Sequence, residues 1–195
     1  MKKSTFFLAS LVTILNSTPS FAQISEVRVG ISNFDEQILD LGFSAINGRE
    51  NSIAINTEII FDEPEFLKWA LTPQPYINGT LNLEGETSYG GAGLLWRQTF
   101  GEKAYGDFSF GLAAHTGNTN SDIDNELSLS EFLELTNSEI SFGSRILFRQ
   151  QLAFGYRVTD KWALEIFGEH LSNGQILSSI NEGVDILGLK AARRF

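Results

Sequence analysis

The chain has no cysteine, four prolines and a single methionine among its 195 residues. The lack of thiols excludes a disulfide framework and a thiolate metal site. A small secreted domain often needs such staples; a closed barrel does not. Histidine is nearly as scarce, with only His115 and His170. Lysine and arginine number 14 against 24 aspartates and glutamates, a formal net charge of −10. No basic stripe is visible, which argues against a nucleic-acid partner. The total charge does not argue against an anionic lipid headgroup, because charge at one end of a barrel differs from the total. Beyond residue 22 there is no long apolar run, so no transmembrane helix is expected.

The N-terminus has the pattern of a targeting segment. Lys2 and Lys3 form a positive region, residues 6–15 are apolar, and Ser20-Phe21-Ala22 fits a small-x-small cleavage site. The apolar run is too short for a membrane anchor. The expected organisation is a signal peptide over 1–22 and one domain over 23–195, starting at Gln23 after cleavage.

What is abundant is glycine (18), phenylalanine (16) and alternation. Stretches of about ten residues alternate apolar with polar, separated by turn chemistry, the signature of a membrane-spanning strand. Strands are expected over 24–34, 51–61, 76–85, 89–100, 106–116, 140–158, 162–172 and 184–195. Residues 35–50 read as a loop, 62–72, with Pro64, Leu67, Trp69 and Leu71, as a turn carrying a short helix or an interfacial segment, and 117–138 as a long polar loop. Within that loop Leu129, Phe132, Leu133 and Leu135 suggest a short amphipathic helix.

The phases of the strands set the inside and the outside. In the sixth, Ile146, Phe148, Leu152, Phe154 and Tyr156 share one face, and Arg145, Arg149, Gln151 and Arg157 the other. In the seventh, the polar face carries Glu165 and Glu169, which would pair with those arginines in the interior. The apolar face would then lie outward, with Trp96, Tyr156 and Trp162 in an interfacial belt. The expected fold class is all-β: an eight-stranded antiparallel transmembrane β-barrel of the outer membrane. A soluble lipocalin-like barrel is the alternative, but charged residues would then have to fill its ligand cavity. The terminal Phe195 on an amphipathic last strand resembles an outer-membrane assembly signal.

With period 2, Trp162, Leu164, Ile166, Gly168, His170 and Ser172 share the outward face of the seventh strand. Short turns belong to the periplasmic end and long loops outside, so His170 and Ser172 come near the extracellular end. Asp185 has the outward phase of the returning strand. A serine hydroxyl is a poor nucleophile until a base takes its proton, and a carboxylate fixes the tautomer of that base. Asn173 offers an amide or backbone N–H for an oxyanion. A polar trio facing lipid is costly, and is expected where the substrate is a lipid with a polar region at that depth. By spacing alone His-x-Ser is unspecific. His115, in the inward phase of the fifth strand, reads as lumenal or loop-stabilising. Asp122, Asp124, Glu126, Glu131 and Glu134 read as a solvated loop face rather than a cation site.

Gly143-Ser144-Arg145-Ile146-Leu147-Phe148-Arg149, Phe154-Gly155-Tyr156-Arg157, Glu169-His170-Leu171-Ser172-Asn173 and Asn181-Glu182-Gly183-Val184-Asp185 together resemble the outer-membrane lipid A deacylases of the PagL family. The resemblance covers the last three strands; over the first five it rests on strand pattern. It implies an eight-stranded barrel without metal or organic cofactor, acting on lipid A in the outer leaflet. The reaction implied is removal of the ester-linked 3-hydroxyacyl chain from the 3-position by a serine esterase. His170 matches the base, Ser172 the nucleophile, Asn173 the oxyanion-hole position and Asn181 the asparagine that orders the loop. The acid departs from the family pattern, with Asp185 where a glutamate is known, so Glu182 competes for that role. The expected partners are lipid A or lipopolysaccharide and the lipids of the outer membrane, and a homodimer is compatible with the sequence. The alternatives are a surface phospholipase and a non-catalytic barrel: an adhesin, a structural protein or a narrow pore.

Overall fold

The computed structural model describes residues 23–34, 50–119 and 140–195. The expected signal peptide, most of the 35–50 loop, the amphipathic helix at Leu129–Leu135 and the five loop acids lie outside the described residues. The described chain forms β1 (Ile24–Phe34), β2 (Ser52–Phe61), β3 (Gln74–Asn82), β4 (Tyr89–Phe100), β5 (Ala104–His115), β6 (Ile146–Arg157), β7 (Trp162–Ser172) and β8 (Val184–Arg194). Each strand pairs antiparallel with the next, and β8 closes on β1 from Glu26↔Arg194 to Phe34↔Ile186. A 3₁₀ helix, Glu65–Ala70, lies between β2 and β3, the first of the two readings of 62–72. Closure leaves no strand edge, which satisfies the backbone inside a bilayer.

Alternation sorts the side chains as expected. Leu164 and Phe154 point outward at 61% and 63% exposure, while Arg28 and Arg149 are 0% and 2% exposed. This is a soluble barrel turned inside out, and it rules out the lipocalin alternative. Trp96, Tyr156 and Trp162 all lie toward the end that carries the start of β1, the end of β8 and the short 101–103 and 158–161 turns. By the loop-length rule that end is periplasmic. The Trp96 indole donates to the Ala70 carbonyl at 2.9 Å and so ties the 3₁₀ helix to β4.

Eight strands enclose a lumen just wide enough for side chains, and here charges fill it. Arg28 contacts Glu26 at 2.6 Å, Asp107 at 2.5 Å, Glu165 at 3.3 Å and Glu58 at 3.4 Å. Arg149 contacts both Glu58 and Glu169 at 2.6 Å. The pairing expected between β6 and β7 is therefore present, and it extends across the lumen to β2. Arg97 contacts Glu26 at 2.9 Å and Asp107 at 2.7 Å, and Lys190 contacts Glu58 at 3.0 Å. Tyr89 and Tyr105 donate their hydroxyls to Glu169 and Glu165. Gly155 makes room for the Tyr105 ring: a Cβ there would lie 2.2 Å from the ring.

β3 starts two residues before its expected position and ends three before it, β5 starts two before and ends one before, and β6 differs most. β6 begins at Ile146, not at residue 140. Gly143 has a φ of +70°, in the left-handed region that breaks an extended run, and its missing Cβ admits the Ile180 carbonyl oxygen, which that Cβ would meet at 2.0 Å. Residues 140–142 therefore leave the wall, and Ile140 and Phe142 enter a buried cluster with Phe34, Tyr89, Leu147, Phe167, Leu171 and Ile186. They close the extracellular mouth. Arg145 is consequently not lumenal: it is exposed and donates to the carbonyls of His115 and Gly117, both at 3.0 Å. Arg157, at the periplasmic end of β6, is half-buried and donates to the Glu102 carbonyl at 2.9 Å.

Two outcomes follow from this interior. Arg149→Met leaves Glu58 and Glu169 each short of a buried partner, and should cost about 3–5 kcal/mol in denaturant unfolding of the detergent-folded barrel. The filled lumen should give no stepwise single-channel conductance in a planar bilayer; steady unitary steps would contradict it and favour the pore alternative.

Candidate active site

β7 and β8 bring His170 and Asp185 together through their register. His170 on β7 lies directly opposite Asp185 on β8. Side chains so opposed have Cβ atoms about 4.5–5.5 Å apart, a span that an aspartate bridges without a further methylene. The His170 Nδ1–H donates to Asp185 Oδ1 at 2.7 Å. A carboxylate can only accept, so a proton sits on Nδ1, and in the neutral ring this tautomer leaves the lone pair on Nε2. The two side chains are 30% and 13% exposed, at the boundary between wall and loop. Ser172, on the same face two residues along β7, is 9% exposed and opposes Phe148 of β6. Successive same-face positions on a strand have Cα atoms roughly 6.5–7 Å apart, within which an imidazole can lean toward a hydroxyl.

Glu182, the competing acid, is engaged elsewhere. Its carboxylate accepts the Ser141 N–H at 2.7 Å, and its own N–H donates to the Ser141 carbonyl at 3.1 Å. This two-way bridge joins the loop after β7 to the mouth-closing segment. Asp185, not Glu182, is hydrogen-bonded to the His170 ring.

Asn173 is fully buried, and its polar atoms hold the loop. Its side-chain amide donates to the carbonyls of Phe142 at 2.7 Å and Ile180 at 2.5 Å, and its Oδ1 accepts from Gln175 N–H at 2.7 Å. Its backbone N–H donates to Asn181 Oδ1 at 2.7 Å. Both asparagines therefore order the loop between Ser172 and Asp185. No donor of Asn173 is left over in this arrangement for a substrate oxygen.

The second histidine is structural, as its phase indicates. His115 points inward at the mouth, its Nε2 bonded to the Ser144 carbonyl at 2.7 Å and its ring tilted on Phe142 at 4.4 Å. Glu50, just before β2, carries no signal in the sequence beyond that of a loop residue. Its buried carboxylate accepts the N–H groups of Thr87 at 3.1 Å and Ile140 at 3.3 Å. Burial pushes this carboxyl above the usual range, against the hydrogen bonds that lower it. The mouth-closing residues 140–142 also escaped the sequence reading, because Ile140, Phe142 and Ser144 alternate as a strand does.

Farther down the same outer wall, Phe154, Tyr156, Leu164, Ile166 and Leu189 line an apolar depression of about 380 Å³. The three outer-wall polar residues thus sit above an apolar surface on β6, β7 and β8.

A family model described as lipid A 3-O-deacylase (PagL) matches residues 66–194. The chain also matches the crystal structure of the outer membrane enzyme PagL with a TM-score of 0.56 at 10% identity, over 88% of this chain and 100% of that one. The outer membrane protein Ail of Yersinia pestis, in a phospholipid bilayer nanodisc, matches with a TM-score of 0.44 at 11% identity, over 88% of this chain and 99% of that one. No curated protein matches the sequence. At such identity the PagL structure speaks for the fold, whereas the family match carries kinship, and it takes in β3 to β8 with His170, Ser172 and Asp185 inside it. This chain belongs to the lipid A 3-O-deacylase family, outer-membrane barrels that hydrolyse an ester of lipid A.

Proposed function

We propose that the deacylation is carried out by a triad of Ser172, His170 and Asp185 on the outer wall of the barrel. The observation that carries the reading is the 2.7 Å bond from His170 Nδ1–H to Asp185, on the face and at the depth where Ser172 stands. Asp185 holds the imidazole in the tautomer whose Nε2 accepts a proton. His170 takes the Ser172 proton as Oγ attacks the carbonyl carbon of the ester-linked chain. The tetrahedral intermediate collapses by breaking the bond to the sugar oxygen at position 3, which leaves as a hydroxyl with the proton from His170. Water, deprotonated by the same Nε2, then releases the fatty acid from Ser172.

The location supports the substrate. Lipid A presents its ester linkages at the boundary between headgroup and hydrocarbon, and the trio lies where the apolar wall meets the extracellular loops. The exposed apolar side chains of Leu152, Ile166 and Leu189 below the trio on the same strands suit an acyl chain, since burying each methylene is worth about 0.8 kcal/mol. In this reading Asn173 and Asn181 chiefly hold the loop. Asn173 serves an oxyanion only by giving up one carbonyl partner, and the bond to Ile180 is the less buried of the two. Residues 1–22 act as the leader that delivers the chain to the outer membrane and are then removed.

The test is mass spectrometry of lipid A incubated with the detergent-refolded protein. Wild type should remove one 3-hydroxyacyl chain. Ser172→Ala should lower the rate by about three orders of magnitude or more while heat-modifiable gel migration is kept. Activity that survives this change would remove Ser172 as nucleophile; hydrolysis of phospholipid in place of lipid A would favour the phospholipase reading.

The acid is tested separately. Asp185→Asn should lower kcat by about 10³–10⁴, as loss of the orienting carboxylate does in serine hydrolases. Glu182→Gln should stay within about tenfold of wild type, because a glutamine oxygen still accepts the Ser141 N–H. The reverse ranking would make Glu182 the acid.

A further inference from the structure

Gly183 is buried immediately before β8. A Cβ on it would lie 2.8 Å from His170 Cε1, 3.2 Å from His170 Nε2 and 3.3 Å from the Leu171 carbonyl oxygen. The first distance is shorter than van der Waals contact allows. Gly183 does not have the positive φ of Gly143 and Gly174, so its backbone accepts any L-residue. What the position requires is space, and the imidazole fills it.

The ring is thus fixed on two edges. Asp185 takes Nδ1–H at 2.7 Å, and the adjoining Cε1–Nε2 edge fills the space that a side chain on Gly183 would occupy. The collision with a Cβ falls on the free end of a side chain that has two rotatable bonds, so the ring, not the strand, gives way. Turning it either breaks the bond to Asp185 or re-aims the Nε2 lone pair away from Ser172. We infer that Gly183 is a positioning residue: its missing side chain is the seat that holds the His170 imidazole between Asp185 and Ser172.

The inference rests on the triad reading for its effect on rate, but its structural part stands on the ring contact alone. Gly183→Ala should keep heat-modifiable migration, lower kcat by about 10²-fold, as a misplacement of about 1 Å does, and leave KM within about twofold. Gly90→Ala serves as the control: a Cβ there meets its nearest neighbour, the Asn78 carbonyl, at an ordinary 3.5 Å. It should retain wild-type kcat.

The second readout is the imidazole NMR spectrum of histidine-labelled, detergent-folded protein, which contains only His115 and His170. In Gly183→Ala the His170 Nδ1–H resonance should move toward its position in Asp185→Asn, while His115 stays fixed. If wild type leaves lipid A intact, the substrate reading fails by itself, and a shifted His170 resonance still upholds the seat. An unchanged His170 resonance, or wild-type kcat in Gly183→Ala, overturns it. So does a variant that no longer folds, since the collision would then be relieved by the backbone and not by the ring.

Discussion

Within hydrocarbon every backbone N–H and C=O must find its partner in the protein, because lipid offers none. The rest of this structure depends on that constraint. It requires the sheet to close on itself, so β8 pairs with β1 from Glu26↔Arg194 to Phe34↔Ile186. Closure at eight strands gives a lumen that side chains alone can fill. Alternation then divides every strand between lipid and lumen, and no position serves both.

The lumen resolves its share by charge pairing. Arg28, Arg97, Arg149 and Lys190 interleave with Glu26, Glu58, Asp107, Glu165 and Glu169 across strands far apart in the chain. Removing a charge from water is expensive, and pairing offsets that cost only when the geometry is good. The network therefore fastens opposite walls together and fills the lumen with paired side chains. A barrel filled in this way has its outer wall and its mouth available for chemistry.

The outer wall is a poor place for polar groups, and the site is held at its rim by loops. Ile140 and Phe142 pack down into the mouth. Ser141 exchanges hydrogen bonds with Glu182, and Phe142 and Ile180 lend their carbonyls to Asn173. The loop that joins Ser172 to Asp185 is thus anchored to the segment that leads into β6. The polar atoms that look most like catalytic donors in this loop are largely spent on keeping it in place.

Alternation in the sequence determined the fold class, the limits of β1 and β4, and the outward phase of His170, Ser172 and Asp185, because a period of two is a local property of extended backbone. Glu165, Glu169 and Arg149 were legible as lumenal for the same reason. Residues 140–145 were not: Ile140, Phe142 and Ser144 alternate like a strand, and what turns them inward is a left-handed Gly143 against the Ile180 carbonyl, a contact nearly forty positions away. The choice between Asp185 and Glu182 was open in the sequence for a similar reason. Only the tertiary structure decided which carboxylate meets His170, since strand register puts Asp185 directly opposite and the bridge to Ser141 holds Glu182. It also decided that Gly183 lies against the imidazole, because a missing side chain shows its purpose only through the neighbour that occupies its place.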